Sequence, residues 1–140
     1  MKKYLFAFIS FILVFSACSI YGQGKTDVEK NKKIATMYHE LQAEDIDEIL
    51  TGDFVGRNEK SRHTWNREDH RNYLNNGYYK KDSIFHQVAE GNWVATRFFR
   101  EMDWQGERIK VEMMHFKRFE DGKIAEIWEY GDTQQIPSEE

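Results

Sequence analysis

The clearest alternation of apolar and polar residues lies between Glu107 and Asp132. Apolar side chains recur there at every second position, which is typical of a strand with one covered face. Asp121-Gly122 follows, a dipeptide that tolerates positive φ and favours a two-residue hairpin turn before a second alternating run. The pattern predicts a long β-hairpin. Its first strand places on one face Ile109, Val111, Met113, His115 and Phe119, and Lys117 interrupts the series.

The second strand of this hairpin has no plainly polar face. Its two alternating sets are Ala125, Ile127, Glu129 and Gly131 on one side and Ile124, Glu126, Trp128 and Tyr130 on the other. If the first set shares a face with His115, the carboxylate of Glu129 and the imidazole project into the same apolar surroundings. That arrangement would form an acid/base pair. In the alternative, Glu129 faces solvent beside Trp128, and His115 is a core histidine bonded to a neighbouring strand.

Helices are predicted upstream of the strands. The first begins at Thr26, where the sequence TDVE has the form of a capping box, and an apolar stripe at helical spacing continues it to Leu41. A second, shorter helix has its apolar residues between Ile46 and Leu50, and Gly52 is placed to end it. These two helices supply apolar stripes that need a partner surface.

A third helix, capped by Asn66 and reaching about Leu74, follows a short strand at Phe54-Val55. Two long strands then precede the hairpin, Ser83 to Ala89 and Trp93 to Trp104, and tight turns join them. Helices first and an antiparallel meander afterwards indicate the α+β class. We therefore expect N-terminal helices packed on one face of a curved, mostly antiparallel sheet.

The N-terminal residues predict export. Lys2 and Lys3 precede an apolar run that is short for a membrane span, and small residues come after it. The small residues before Cys18 resemble the lipobox of bacterial lipoproteins, whose cysteine is lipidated, and ordinary cleavage after Gly22 is the alternative. We expect a periplasmic or membrane-anchored protein. The predicted organisation is a signal peptide at 1–22, a tether at 23–27, the domain at 28–133 and a flexible tail at 134–140.

Composition narrows the classes of function. With 140 residues and 40% hydrophobic content, the chain is long enough for one domain with a real core. A net charge of -4 lacks the basic footprint that nucleic-acid binding needs. Neither a helical histidine pair at i, i+4 nor a Cys-x-x-Cys motif is present, so no metal site is expected. The sequence also lacks a glycine-rich phosphate loop and a Gly-x-Ser-x-Gly nucleophile turn.

One segment carries a family resemblance. The run from His115 to Trp128, HFKRFEDGKIAEIW, together with the tryptophan-led helix at Trp65 to Leu74, resembles the SnoaL-like polyketide cyclase branch of the nuclear transport factor 2-like superfamily. The specific part is FEDGKI at Phe119 onward, followed by Glu126 and Trp128. The resemblance extends over about residues 30–132, nearly the whole mature chain.

The resemblance implies a cone-shaped α+β fold that encloses one pocket, commonly in a homodimer. In these cyclases an acidic residue on the last strand acts as acid/base, with a histidine on the strand before it, and Glu129 and His115 occupy the matching places. Two features depart from the pattern. Glutamate replaces the usual aspartate, and the loop at Gln105-Gly106 is shorter than in many cyclases. Both departures are compatible with a different or lost substrate.

Two hypotheses follow for the function. The first is a cofactor-independent cyclase, isomerase or hydro-lyase that acts on a small hydrophobic molecule, with Glu129 as base and His115 as polarising partner. The second is a non-catalytic small-molecule-binding or interaction module at the cell envelope. Candidate pocket residues are His63, Trp65, Tyr38, Phe98, Met113 and Trp104, although aromatic and methionine side chains are more often simple core. His39, His70 and His86 are interpreted as surface, boundary or core histidines.

Overall fold

A computed structural model describes residues 27–131 of the chain. Its helices are α1 (27–37, the described part), α2 (Ile46–Ile49) and α3 (Arg67–Asn75), and short 3-10 turns lie at Tyr38–Glu40 and Ala43–Asp45. Its strands are β1 (Leu50–Asn58), β2 (Thr64–Asn66), β3 (Tyr79–Glu90), β4 (Trp93–Trp104), β5 (Glu107–Glu120) and β6 (Lys123–Gly131). No helix within these residues is long and apolar enough to cross a membrane.

The six strands form one sheet in the order β2-β1-β6-β5-β4-β3. Strands β3 to β6 make an antiparallel meander, β1 runs parallel to β6, and β2 pairs antiparallel with β1 at the edge. Because β2, α3 and strands β3 to β5 separate β1 from β6 along the chain, these two strands can run parallel without a tight turn between them. The predicted α+β class, with helices on one face of a mostly antiparallel sheet, is confirmed.

The predicted hairpin is present as β5 and β6. Asp121 and Gly122 join the strands with φ angles of 48° and 76°, so both turn residues adopt the left-handed conformation that the two-residue turn requires. Gln105 and Gly106 turn the chain between β4 and β5 in the same way, with φ angles of 53° and 91°. These two turns fix the register of strands β4, β5 and β6.

Two helix boundaries bear on the predictions. The cap of α3 is confirmed, because the Asn66 side chain accepts from the backbone amides of Glu68 and Asp69 and Asp69 returns a bond to Asn66. The prediction that Gly52 ends the second helix is wrong. Helix α2 stops earlier, and fully buried Leu50 already pairs with Ile124 of β6, so Gly52 lies inside β1. The predicted capping box at Thr26 begins outside the described residues.

The core lies between the helices and one face of the sheet, which we call the inner face. Helical and turn residues contribute Ala35, Tyr38, Leu41, Ile46 and Ile49, and the strands contribute Leu50, Phe54, Val94, Phe119, Ile124 and Ile127. All of these residues are buried. The opposite, outer face carries a shallow aromatic recess lined by Trp93, Phe116, Trp128 and Tyr130. Three of those four rings are more than a third exposed, and the helices leave this face open.

A close backbone approach fixes the edge of the sheet. The indole of Trp65 in β2 lies against Gly56 in β1, its cross-strand neighbour. A Cβ atom at Gly56 would lie 1.9 Å from Trp65 Cε2, far inside van der Waals contact. A Cβ atom at Gly52 in the same strand would meet nothing within 4 Å. The two glycines of β1 therefore differ in what they tolerate.

We predict that Gly56→Ala lowers the free energy of unfolding by about 2 kcal/mol, because the tryptophan ring must move to admit the methyl group. Gly52→Ala is the matched control and should change it by about 0.5 kcal/mol or less. Urea denaturation of the two variants checks this. Equal effects at both positions would contradict the tight Trp65 packing.

Candidate active site

The inner face brings together ionisable side chains from four strands. Cross-strand register places Asp82 of β3 opposite Arg100 of β4, and His115 of β5 opposite Glu129 of β6. Directly opposite residues project to the same side of a sheet. His39 reaches the same region from the 3-10 turn at Tyr38–Glu40, which lies over the inner face. The sheet and the turn thus enclose a buried polar cluster inside an apolar core.

His115 and Glu129 are in direct contact. His115 Nε2 lies 3.1 Å from Glu129 Oε2, and the two side chains are 1% and 16% exposed. Burial holds the pKa of His115 well below its usual value of 6.5, and the nearby charges of Lys117 and Arg100 lower it further. His115 is therefore a neutral imidazole, and the partly exposed carboxylate lies between it and solvent.

Asn58 holds the other oxygen of Glu129. Its Nδ2 donates to Glu129 Oε1 at 2.9 Å across the parallel strands β1 and β6. The Oδ1 of Asn58 accepts from the backbone amides of Lys60 and Ser61, at 3.1 and 2.8 Å, and from the Ser61 hydroxyl at 3.0 Å. The loop after β1 therefore orients the amide, and the amide orients the carboxylate.

Asp82 and Arg100 form the buried ion pair of the cluster. Arg100 Nε and Nη2 each donate to one Asp82 oxygen at 2.9 Å, a bidentate arrangement. Burial alone would raise the pKa of Asp82, but the hydrogen bonds from Arg100 and His39 lower it to about 2. The third nitrogen of the guanidinium, Nη1, lies 3.7 Å from Glu129 Oε2. Arg100 consequently links Asp82 to the His115 and Glu129 pair.

His39 and Lys117 extend the cluster into the core. His39 Nδ1 donates to the Asp82 carboxylate at 2.7 Å, so His39 Nε2 is left to accept from Lys117 Nζ at 2.8 Å. Lys117 Nζ also donates to Thr96 Oγ1 at 3.3 Å and lies 5.3 Å from the centre of the Tyr38 ring. Burial lowers the pKa of Lys117 well below 10.5. Burial also lowers the pKa of His39, to about 4.

Aromatic rings surround the His115 side chain. Phe98 packs edge-on against it with ring centres 4.6 Å apart, the Tyr38 ring lies at 5.8 Å, and the His39 ring stacks on it at 5.6 Å. His70 of α3 stacks on Tyr38 at 5.2 Å from the other side. The cluster is thus a set of hydrogen-bonded charges within apolar walls, where electrostatic interactions are stronger than in water.

The predicted pocket residues are placed unequally. Tyr38 and Phe98 are buried beside His115, and half-buried Met113 is the next inner-face residue of β5. His63 is exposed and stacks on Trp65, which packs against Gly56 and the core rather than against the acid/base pair. Trp104 is 49% exposed at the far end of β4, and none of its described contacts reaches the pair.

Sequence reasoning missed five members of the cluster. His39, predicted to lie at the surface or boundary, is only 4% exposed, and His70 only 6%. Lys117 is wrongly interpreted as a break in the inner-face series, because it continues the alternation from His115 and is fully buried. That unbroken spacing could have predicted the burial of Lys117. No sequence pattern could have predicted the pairing of Asp82 with Arg100, because it depends on a register shift between Ile84 and His86 in β3.

These features define a class of protein. A six-stranded, mostly antiparallel open sheet with three helices on its inner face is the cone-shaped nuclear transport factor 2-like fold. The model of the SnoaL-like polyketide cyclase family matches residues 31–138. The chain belongs to the SnoaL-like polyketide cyclase family, which confirms the resemblance found in its sequence. No curated protein matches the chain closely enough to count as a relative.

Several solved structures have the same fold. The SnoaL-like protein of Jannaschia sp. CCS1 is 13% identical, with a TM-score of 0.62 over 74% of this chain and 86% of that one. An LEH-like epoxide hydrolase of M. tuberculosis is 19% identical, with a TM-score of 0.64 over 75% and 84%. A protein of Catenulispora acidiphila with a ketosteroid isomerase-like fold is 14% identical, with a TM-score of 0.60 over 69% and 83%. At these identities the similarity establishes the fold alone.

The buried histidines predict how stability depends on pH. Burial, followed by the charge of Arg100, lowers the pKa of His70 to about 4 from an ordinary value of 6.5. As the pH falls from 6.5 towards 4, the unfolded imidazole takes up a proton that the folded one does not, so folding loses about 3 kcal/mol from this residue. Removing His70 should therefore reduce the loss of stability in acid.

We predict that His70→Gln makes the free energy of unfolding fall less steeply between pH 6.5 and 4 than in the wild type. The slope is the relevant quantity, because loss of the ring stacked on Tyr38 also lowers stability at every pH. His86→Gln, an exposed change on β3, is the control and should leave the slope as it was. Urea titrations across this pH range measure it, and equal slopes for His70→Gln and wild type would contradict the buried neutral imidazole.

Proposed function

We propose that this chain is a cofactor-independent acid/base enzyme of the cyclase, isomerase or hydro-lyase type, acting on a small hydrophobic molecule. Glu129 and His115 are its proton-transfer pair. The observation that carries the proposal is the 3.1 Å contact between His115 Nε2 and Glu129 Oε2, in which the imidazole is buried and the carboxylate is partly exposed. A carboxylate and an imidazole in contact are the groups that proton transfer beside a carbonyl or hydroxyl needs.

The surroundings of the pair support this chemistry. The Arg100 guanidinium, whose Nη1 lies 3.7 Å from Glu129 Oε2, is a fixed positive charge beside the place where negative charge would develop. Phe98 and Tyr38 supply apolar walls next to His115. The Glu129 side chain is 16% exposed, so the carboxylate is the member of the pair nearest to solvent. Membership in a cyclase family and the epoxide hydrolase of similar fold agree with a pocket enzyme.

The second candidate is a non-catalytic binding or interaction module. This candidate is supported by the side chains of Asp82, Lys117 and His39, which already have hydrogen-bond partners and are almost fully buried. In that case the hydrogen bonds would serve only to satisfy charges within the fold. The two candidates differ in whether a proton leaves a bound ligand.

We predict that Glu129→Gln abolishes proton exchange catalysed by the protein, with a loss of about 10²–10⁴-fold. The assay incubates the purified protein in D2O with a panel of small hydrophobic ketones and follows the α-proton signals by NMR. Glu126→Gln is the matched control, because Glu126 lies on the same strand but pairs with Arg57 and Arg118. It should exchange at the wild-type rate.

Three outcomes distinguish the candidates. Exchange by the wild type that disappears in Glu129→Gln supports the enzyme. Exchange that is equal in both proteins would contradict the role of Glu129. Ligand binding to the wild type without exchange would favour the binding module instead. Thermal unfolding of both variants shows whether a lost activity comes from a lost fold.

Export and assembly complete the proposal. Residues 1–26 lie outside the described part of the chain, and we propose that they direct export, with Cys18 as the lipidation site or cleavage after Gly22. The N-terminal mass of the mature protein distinguishes these two products. We also propose a homodimer, supported by the exposed aromatic recess on the outer face. Sedimentation that shows a monomer at micromolar concentration would refute it.

A further inference from the structure

The hydrogen bonds around Glu129 determine which nitrogen of His115 carries the proton. The Asn58 Oδ1 atom accepts three donors from the loop, so its Nδ2 must be the atom that faces Glu129 Oε1. An ionised carboxylate can only accept hydrogen bonds. Glu129 Oε2 therefore accepts from His115 Nε2, and the neutral imidazole carries its single proton there.

The other ring nitrogen of His115 is then a bare acceptor. Nδ1 is buried and has no hydrogen-bond partner among residues 27–131. A buried acceptor left without a donor is unfavourable, so an unpartnered one in a native interior calls for an explanation. A ligand that donates a hydrogen bond would supply the missing partner.

We propose that Nδ1 of His115 accepts a hydrogen bond from the substrate, that Asn58 and Glu129 are positioning residues for it, and that the substrate presents a hydroxyl group on an apolar body. This inference rests on the proposed function and assigns roles within it. In this contact the substrate hydroxyl donates to Nδ1, no bond breaks, and the ring stays neutral. Glu129 holds the tautomer that leaves Nδ1 free to accept, through its bond from Nε2.

The surroundings of the ring support an apolar body with one hydroxyl. Phe98 packs edge-on against the imidazole at 4.6 Å, and Tyr38 lies at 5.8 Å. Arg100 and Lys117 are the cations that face the region, and Asp82 and His39 already bind them. A ligand with a further charge would therefore compete with existing ion pairs, whereas a neutral hydroxyl compound would not.

The role of His115 differs from the simplest use of the pair. As a polarising partner, His115 would donate to the substrate through a ring N–H. In the structure its single N–H donates to Glu129 Oε2. Nδ1 is the ring nitrogen that has no partner among the residues described, so His115 accepts from a ligand and does not donate to it.

The test reads the tautomer of His115 directly. Long-range proton–nitrogen correlation spectra of the purified, isotope-labelled protein at neutral pH distinguish a ring with the proton on Nε2 from one with it on Nδ1. We expect the proton on Nε2, and a shift of the Nδ1 resonance when phenol is added. Anisole, which has the same ring and lacks the hydroxyl hydrogen, is the matched probe and should leave Nδ1 unmoved.

A proton found on Nδ1 would overturn the inference, and so would equal responses to phenol and anisole or no response to either. None of these outcomes depends on turnover, so a failure here is distinguishable from a failure of the proposed function. If Nδ1 is only a structural acceptor closed to ligands, phenol will not shift it, and the proposal fails.

Variants test the positioning roles. Glu129→Gln should move the proton to Nδ1, because the Gln oxygen must accept from Asn58 and its amide then donates to His115 Nε2. Glu126→Gln should retain the wild-type tautomer. Asn58→Ala should lower the fraction of the Nε2–H form, whereas Asn72→Ala, an exposed change on α3, should not. An unchanged tautomer in both Glu129→Gln and Asn58→Ala would contradict the roles assigned to these residues.

Discussion

The bidentate ion pair between Asp82 and Arg100 is the interaction on which the rest of the interior depends. Both side chains are almost completely buried, and removing one partner of such a pair typically costs about 3–5 kcal/mol because the other charge is left uncompensated. The pair also joins the two ends of the cluster. Asp82 fixes His39, which accepts from Lys117, while Arg100 faces Glu129. A single constraint therefore sets the positions of side chains from the turn after α1 and from strands β3, β4, β5 and β6.

The same hydrogen-bonded charges that stabilise the interior also fix the electrostatic surroundings of His115. Charges that are paired and hydrogen-bonded keep their positions without solvent, so the field around His115 is built into the fold and does not need to reorganise around a ligand. Three histidines of the interior remain neutral because burial disfavours their charged forms. The fold itself is shared with a cyclase family and an epoxide hydrolase, so it does not determine the reaction. The reaction must depend on the residues of the inner face.

The sequence was most informative where local chemistry decides the structure. Asp121-Gly122 predicts its hairpin and Asn66 its helix cap, because both depend on neighbouring residues alone. Period-two spacing also places His115 and Glu129 on one face once the turn is known. The burial of Lys117 could not be predicted in this way. A lysine is unexpected on an inner face, and its partner His39 is 78 residues away in the chain. Asp82 and Asn58 likewise acquire their roles only from non-local contacts, with Arg100 and with Glu129.

The pH titration of the His115 ring tests whether this imidazole is buried beside Glu129 within the charged cluster. The carbon-bound ring proton of His115 can be followed by NMR in the wild-type protein from about pH 8 downwards, within the range in which an ordinary histidine titrates. We predict that the ring stays neutral well below pH 6.5, because burial and the charges of Lys117 and Arg100 oppose its protonation. A midpoint near 6.5 would contradict it, since an ordinary midpoint would mean that His115 faces solvent and not the cluster.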